Sequence, residues 1–155
     1  MLSLGSNAAF GGMASEQILA AAERALSERV RNMKSSSVHR TKPMYFAAQD
    51  DFFNMVIIGD FFAEAAASLE AAAKNLLLFT QKIEADFGRN RAAEIPKGPR
   101  TLDIDIVFFG GEKIVIPDLL TIPHPHWRER DFVVKPALEI LDKNADGLLW
   151  EAFHE

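Results

Sequence analysis

Two periodicities alternate along the chain, and this alternation constrains the fold more than any other feature. Residues 52–62 are rich in aromatic and β-branched side chains and predict a strand. Residues 65–87 are rich in Ala, Leu and Glu and precede Gly88, which predicts a long helix. Apolar residues at helical spacing predict an earlier helix over residues 15–32. Shorter strands are predicted at residues 1–4, 35–40 and 102–109, with loops at residues 41–51 and 89–100.

In chain order these segments form the series β-α-β-β-α-β, which is typical of a ferredoxin-like α+β fold. We expect an antiparallel sheet with helices packed on one face. The sequence predicts a C-terminal extension beyond this series, with a short strand at residues 113–116, an irregular segment at 123–130 and helices at 131–141 and 145–153. We expect a single domain over residues 1–155, a length that can bury a core.

Composition excludes several functional classes. The net charge of −5 argues against a broad surface for nucleic acid, which usually needs a positive domain. The chain has no cysteine, so disulfides and thiolate metal sites are excluded and a reducing compartment fits. The longest apolar runs are too short to span a bilayer. The cytoplasm is therefore the expected location, without a nucleic-acid or membrane partner. We also expect a monomer.

The sharpest local signal is the segment Thr101-Leu102-Asp103-Ile104-Asp105-Ile106. Because side chains alternate along a strand, Asp103 and Asp105 share one face, about 6.6 Å apart along the chain. Two carboxylates in this arrangement can hold one or two magnesium ions, whose remaining ligands are waters and substrate phosphates. The alternative is that the two aspartates are ordinary acids on the solvated face of an edge strand. Asp is depleted in strands, so two in register within an apolar run favour a metal site.

A basic cluster precedes this strand in a loop that contains Gly and Pro: Arg89, Arg91, Lys97 and Arg100. Guanidinium groups bind phosphate oxygens in pairs and stay charged at any working pH. The cluster therefore favours a nucleoside triphosphate beside the aspartates. The alternative is a solvated loop whose charge is balanced by nearby acids, namely Glu84, Asp86 and Glu94.

The segment at residues 122–132 concentrates histidine, arginine and aromatic side chains. Zinc ligation by its two histidines lacks a third nearby ligand, so we expect His124 and Arg130 to contact phosphate or ribose instead. Upstream, Phe52 and Asn54 share one face of their strand, and a ring beside an amide suits a flat heterocycle that forms hydrogen bonds. In both segments the alternative is that the aromatic side chains simply cover the core.

Other nucleotide and catalytic motifs are absent. The sequence contains no GxxxxGK[ST], no GxGxxG after a strand, no HExxH and no GxSxG. The segments that are present, in their order along residues 4–140, closely resemble the 6-hydroxymethyl-7,8-dihydropterin pyrophosphokinase family. The matching stretches are Leu4-Gly5-Ser6-Asn7, Arg40-Thr41 with Pro43, Phe52-Phe53-Asn54, Gln81-Lys82-Ile83-Glu84, Gly88-Arg89-Asn90-Arg91, the nine residues from Gly98 to Ile106, and Ile122 to Phe132.

This resemblance implies a ferredoxin-like fold, ATP as co-substrate, two magnesium ions and pyrophosphate transfer to a pterin in folate biosynthesis. It implies that Asp103 and Asp105 hold the ions, and that Arg89 and Arg100 assist catalysis. The residues that match the family's ATP contacts are Gln81, Glu84, Arg91, Lys97, Arg100, Ile106, His124 and Arg130. Those that match its pterin contacts are Thr41, Pro43, Met44, Phe52, Asn54 and Phe132, with the two phenylalanines stacking on the ring.

The chain departs from the family pattern at three points. Residues 94–97 replace an Arg-Trp pair whose tryptophan closes over the substrate, and Lys97 is the candidate replacement for the phosphate contact. Pro125 follows His124 where some members have tyrosine, and Phe52 keeps a ring but not a hydroxyl. We expect loops 41–51 and 88–100 to close over the substrates and exclude water.

Three other functions remain open at this point. The altered lid is compatible with a member of the same fold that binds nucleotide and pterin but catalyses weakly. A ferredoxin-like sheet can also bind RNA by stacking bases on aromatic side chains, although the acidic balance disfavours this. The chain is also compatible with a fragment of a multifunctional folate enzyme.

Overall fold

The strands and helices follow the predicted β-α-β-β-α-β order, with a C-terminal extension. The computed structural model describes residues 1–44, 48–63 and 65–154. Its first part contains β1 (Leu2–Ser6), α1 (Ser15–Leu26), β2 (Val30–Ser35), β3 (His39–Thr41), β4 (Phe52–Phe61), α2 (Leu69–Asp86) and β5 (Asp103–Ile106). Its second part contains β6 (Ile114–Ile116), β7 (Leu120–Ile122), a 3₁₀ turn (Trp127–Glu129), α3 (Asp131–Ile140) and α4 (Gly147–His154).

The main sheet is antiparallel with the strand order β2-β4-β1-β5. β3 pairs with the first residues of β4, along the same edge on which β2 pairs with its last residues. This arrangement confirms the predicted ferredoxin-like α+β class. It also places β1 at the centre, between β4 and β5, so that residues far apart in the sequence become lateral neighbours.

The predicted strand at residues 35–40 is interrupted in the structure. Ser35 ends β2 and His39 begins β3. Between them, the Ser36 backbone N–H donates to the Val56 carbonyl at 2.9 Å, while the Ser36 hydroxyl accepts from the Val56 N–H at 2.9 Å. Because a side chain replaces a backbone carbonyl in the ladder, the edge strand breaks here into two pieces.

Both faces of β4 are covered, which corrects the expectation of helices on one face. Met55 and Ile57 pack in the core together with residues of α1 and α2. Val56 and Ile58 point the other way and pack against Ala137 of α3. The reason is that β4 is apolar on both faces at its centre, so the C-terminal extension must cover the face that α1 and α2 leave open.

Some predicted boundaries are wrong by a few residues. The first helix ends at Leu26 rather than at residue 32, because Val30 already pairs with Phe61 in the sheet. The second helix begins at Leu69 rather than at residue 65, because the Ser68 side chain caps it by accepting from the Ala71 N–H at 3.1 Å.

The strand predicted at residues 102–109 is shorter, covering Asp103–Ile106. The predicted strand at 113–116 is present as β6, and the structure adds β7, which pairs with it. Helices α3 and α4 lie close to the predicted ranges. The predicted loop at 41–51 includes residues 45–47, which lie outside the described residues. Within the described part of the chain, no helix has the length and apolar character needed to cross a membrane.

Candidate active site

The two aspartates of β5 lie on the face of the sheet opposite α1 and α2. Ile104 and Ile106 are buried in the core that these helices cover. Asp103 and Asp105 alternate with them and line a cavity of about 340 Å³ on the other side. The predicted shared face of the two carboxylates is therefore confirmed.

Three adjacent strands form the floor of this cavity. Gly5 of β1 pairs with Asn54 of β4 on one side and with Asp103 of β5 on the other. A Cβ atom at Gly5 would lie 2.9 Å from the Asn54 Oδ1 atom. Glycine at this position therefore lets the Asn54 amide lie against β1 in the floor of the cavity.

Aromatic and amide side chains line the same cavity from β4 and α3. Phe52 and Asn54 enter it from β4, and Phe132 enters it from the first turn of α3. The Asn54 Nδ2 atom donates to the Thr41 hydroxyl at 2.8 Å, which holds the amide in place. This part of the cavity combines apolar ring surface with groups that form hydrogen bonds, the usual composition of a site for a small heterocycle.

Two guanidinium groups neutralise Asp103. Arg100 Nη1 donates to its Oδ2 atom at 2.5 Å, and Arg89 Nη1 donates to its Oδ1 atom. Burial on its own would raise the pKa of this carboxyl, but the positive charges of Arg100 and Arg89 together lower it below its ordinary value. Asp103 is therefore ionised at neutral pH.

Asp105 has a different electrostatic environment. Its Oδ2 atom accepts from Arg130 Nη1 at 2.7 Å. Burial and the neighbouring negative charge of Asp103 raise the pKa of Asp105, and Arg130 only partly opposes them. Asp105 thus has a single guanidinium partner against both its burial and a neighbouring carboxylate, and a divalent cation would supply the additional positive charge.

Glu84 anchors the loop that precedes β5. This carboxylate lies on α2 with its side chain only 1% exposed, and it accepts from the Ile104 N–H at 2.7 Å. It also accepts from Arg89 Nη1 at 2.7 Å and from Arg91 Nη2 at 2.6 Å. Burial raises the pKa of Glu84, against the lowering effect of these donors. The expected role of this side chain as an ATP contact finds no support here, because its oxygens are already occupied by protein donors.

Comparison with known proteins places the chain in a family. Residues 1–142 match the model of 7,8-dihydro-6-hydroxymethylpterin-pyrophosphokinase, which covers most of the chain. The chain belongs to the 7,8-dihydro-6-hydroxymethylpterin-pyrophosphokinase family. The resemblance inferred from the aspartate, arginine and aromatic motifs is thereby confirmed.

The relatives of this chain in the pyrophosphokinase family differ in how much of their length it matches. The chain is 40% identical over 139 residues to the folic acid synthesis protein fol1 of Pneumocystis carinii. This aligned region covers 90% of this chain and 17% of that protein. It is 40% identical over 107 residues to 2-amino-4-hydroxy-6-hydroxymethyldihydropteridine pyrophosphokinase of Bacillus subtilis. Here the aligned region covers 69% of this chain and 58% of that protein. The enzyme of the same name from Aquifex aeolicus is 37% identical over 139 residues, or 90% of this chain and 78% of that protein. The chain thus spans less than two thirds of the first two of these relatives.

The structure brings most of the predicted site residues of this pyrophosphokinase family to one cavity. Its lining includes ten of the predicted residues, namely Thr41, Met44, Phe52, Asn54, Lys97, Arg100, Asp103, Asp105, Arg130 and Phe132. Arg89 and Arg91 lie behind this lining and contact Glu84. These ten residues, predicted for the nucleotide or for the pterin, therefore converge although they come from four separate stretches of sequence, at residues 41–44, 52–54, 97–105 and 130–132.

Some predicted residues lie outside the cavity lining, as far as the described residues show. Pro43 is half-buried beside its lining neighbours, and Gln81 is half-buried on α2. The Ile106 side chain is buried in the core, so only its backbone remains for a nucleotide contact. His124 is half-buried, and its Nδ1 atom accepts from the His126 N–H at 3.2 Å. Burial and the positive charge of Arg130 lower the pKa of His124, so this ring is neutral at pH 7.

The cavity lining also includes residues that the sequence did not indicate. Lys42 and Gln49 come from the loop before β4, and His126 takes the place expected for His124. Gln49 accepts from Asn7 Nδ2 at 3.0 Å and donates to the Lys97 carbonyl at 3.1 Å. It thereby joins the two loops that flank the cavity. The only sequence signal for these side chains was their position inside loops 41–51 and 123–130.

A second cavity of about 510 Å³ lies at the opposite end of the sheet. Its lining is mostly apolar, from Leu2, Phe61, Phe108 and Leu149 among others. It contains none of the predicted site residues. Despite its greater volume, this cavity lacks the opposed charges that phosphate chemistry requires, so we assign the site to the smaller cavity.

The donor set of the smaller cavity fits magnesium. Asp103 and Asp105 supply carboxylate oxygens on one face, the ligand type that magnesium prefers. No group of three or more His, Cys, Asp or Glu side chains suited to a metal occurs among the described residues. Magnesium usually takes one or two carboxylates and completes its shell with waters and substrate phosphates, so a pair of acids is sufficient.

Proposed function

We propose that the protein transfers pyrophosphate from ATP to the hydroxymethyl group of 6-hydroxymethyl-7,8-dihydropterin and releases AMP, as a step of folate biosynthesis. The observation that carries this proposal is that one cavity combines two kinds of chemistry. Asp103 and Asp105 line it from β5 with Arg100 and Arg130 bound to them, and we call this part the charged half. Phe52 and Asn54 line it from β4, on the other side of the central strand β1, and we call this part the aromatic half. Membership of the pyrophosphokinase family supports the same reaction.

The pterin would occupy the aromatic half of the cavity. Phe52 and Phe132 would stack on its ring faces, since both line the cavity from different elements. Asn54 would form hydrogen bonds with the ring edge, with its orientation held by Thr41. Pro43 and Met44 would complete the enclosure from the loop that follows β3.

The triphosphate would occupy the charged half. Arg130 supports this placement, because its Nε–H is buried without a hydrogen-bond partner among the described residues and a phosphate oxygen would satisfy it. Arg100 and Lys97 line the same cavity, and the half-exposed Arg91 would reach the phosphates from outside this lining. His124 and Gln81 would contact the nucleoside from the rim.

Asp103 and Asp105 would hold magnesium, two ions being expected from the family resemblance, and the metal charge would offset the phosphate oxygens and acidify the pterin hydroxyl. The protein side chains bind and align the reactants. The pterin hydroxyl gives its proton to water and its oxygen attacks the β-phosphorus, the bond from that phosphorus to the bridging oxygen of the α-phosphate breaks, and AMP leaves with the electron pair. Arg100, which lines the cavity, offsets the negative charge that grows on the phosphate oxygens, and Arg89 adds positive charge from outside this lining.

An assay of AMP formation tests the proposal, with and without 6-hydroxymethyl-7,8-dihydropterin. We expect pterin-dependent AMP release in the presence of Mg²⁺. Asp105→Ala should lower the rate by about a hundredfold or more, because metal charge stabilisation is worth several kcal/mol. Asp118→Asn removes an exposed acid in the turn before β7 and serves as the matched control.

Two results would contradict the proposal. Near-normal turnover by a folded Asp105→Ala protein would exclude the aspartate pair as the metal site. Tight binding of both ATP and pterin without AMP release would instead identify a member of the family that binds but catalyses weakly.

A further inference from the structure

Arg89 is a buried cation surrounded by three carboxylates. Its side chain is 5% exposed and contacts Glu84 on α2, Glu94 in the loop before β5, and Asp103 on β5. The Arg89 guanidinium thus links the fixed helix, the loop and a residue that we assign to the metal site. Burial would lower the pKa of Arg89, but Asp103, Glu94 and Glu84 raise it further, so the charge is permanent.

The two edges of this guanidinium have separate partners. Nη1 faces inward and donates to Glu84 Oε1 at 2.7 Å, to Asp103 Oδ1 and, at 3.4 Å, to the Leu102 carbonyl. Nε and Nη2 face outward and donate to the two oxygens of Glu94, at 2.8 and 3.3 Å. Glu94 therefore binds Arg89 through a fork with two hydrogen bonds, the strongest geometry for this pair.

A cation bound at Asp103 Oδ1 would compete with the Arg89 guanidinium, which donates to that oxygen. When Arg89 Nη1 gives up Asp103, its remaining carboxylate partners are Glu84 and Glu94. Glu84 is already shared with Arg91, whereas the contacts found for Glu94 among the described residues are with Arg89 alone. Glu94 is therefore the group best able to hold Arg89 after the exchange.

We propose that Glu94 is a positioning residue that retains Arg89 in the loop, so that a divalent cation can replace this guanidinium at Asp103. The role rests on the proposed function, because it assumes that Asp103 binds the cation. Without the negative charge of Glu94, the Arg89 guanidinium interacts more strongly with Asp103. A cation then displaces it from Asp103 less easily. The substitution Glu94→Gln keeps the size of the side chain and removes this charge.

The test measures Mn²⁺ binding to the nucleotide-free protein by electron paramagnetic resonance, with an ATP analogue carrying a methylene bridge between its α- and β-phosphorus atoms as a second condition. We expect Glu94→Gln to raise the dissociation constant of Mn²⁺ about fivefold, the effect of a partly buried ion pair. The KM for the pterin should change little, since Glu94 does not line the cavity. Glu112→Gln, in an exposed turn, controls for loss of one charge.

A double-mutant cycle with Arg89→Met separates positioning from a general charge effect. We expect Glu94→Gln to have no effect on Mn²⁺ binding once Arg89 is gone. An equal effect in both backgrounds would overturn the proposal, because Glu94 would then act only as a distant negative charge. An unchanged Mn²⁺ constant for Glu94→Gln in the wild-type background would overturn it as well.

Two further variants keep the test decisive. If Arg89→Met fails to fold, Arg89→Lys replaces it, because an ammonium group cannot form the fork with Glu94. If Asp105→Ala leaves Mn²⁺ binding of the otherwise unaltered protein intact, the proposed metal site itself is wrong, and the role of Glu94 falls with it. Loss of Mn²⁺ binding in Asp105→Ala without any effect of Glu94→Gln would refute the positioning role alone.

Discussion

Replacing Glu84 with glutamine tests whether the buried carboxylate anchors the site. The change keeps the shape of the side chain but leaves one acceptor oxygen where the carboxylate has two. If that oxygen accepts hydrogen bonds from the Ile104 N–H and from Arg89, the new amide nitrogen faces the Arg91 donor. Arg91 is 54% exposed and can turn to solvent, but the amide N–H₂ remains in a position only 1% exposed.

The contacts that are lost determine the magnitude. The hydrogen bond from Arg91 is lost, one to a charged acceptor contributing about 1.5–3 kcal/mol, and an unsatisfied buried N–H₂ costs about 1–3 kcal/mol. Removing the cost of burying the negative charge offsets part of this loss. We therefore expect Glu84→Gln to lower the free energy of unfolding by about 2–3 kcal/mol. For a domain of this size that corresponds to a fall in Tm of roughly 6–10 °C.

Thermal unfolding by calorimetry and urea titration at pH 7 measure this change, with Glu112→Gln as the exposed control. Turnover should fall as well, since Arg89 and Arg91 lose the group that holds them. A Tm within about 2 °C of the wild type would refute the reasoning. It would mean that the stabilisation from the three hydrogen bonds to Glu84 only just exceeds the free energy that burying its charge costs.

Two further predictions concern the pterin half of the cavity and acid stability. Phe52→Ala should raise the pterin dissociation constant about tenfold while leaving ATP affinity unchanged, because one stacking face is lost. Calorimetric titration measures both constants, Phe62→Ala at an exposed position is the control, and unchanged pterin affinity would exclude the stacking role. Asp146→Asn should lower the free energy of unfolding at pH 7 by about 0.5–1 kcal/mol, because it breaks the ion pair with Lys34. Burial would raise the pKa of Asp146, but Lys34 and the Asp142 N–H lower it below its ordinary value. Its contribution to stability is thus present above the unfolded-state pKa near 3.9 and is lost as the pH falls through the lower folded-state pKa. Urea titrations between pH 2 and 7 should show a flatter acid dependence for the variant, and curves of equal slope would contradict this assignment.

The alternative interpretation of the basic loop at residues 89–100, in which nearby acids balance its positive charges, is partly correct. Glu84 and Glu94 balance Arg89, as that interpretation required, whereas Asp86 pairs with Lys82 instead. These acids do not make the loop a solvated surface, because they hold the guanidinium against Asp103. The predicted monomeric state and cytoplasmic location stay predictions, as does the predicted single domain.

The local sequence determined those features that depend on neighbouring residues. Alternation along one strand is a property of extended backbone, so it placed Asp103 and Asp105 on the same face before any strand pairing was known. The strength of the apolar pattern likewise predicted β4, and the family motifs indicated which side chains belong together. These features need no knowledge of contacts between distant segments.

Only the tertiary structure decided features that depend on strand register and on coverage of the sheet. The row that joins Asn54, Gly5 and Asp103 arises because β1 lies between β4 and β5, and a shift of one residue would turn these side chains to the other face. The burial of Glu84 against β5 and the packing of α3 on the second face depend on the same long-range contacts. Register and packing are set by pairing between segments that lie far apart in the sequence, and no local pattern encodes that pairing.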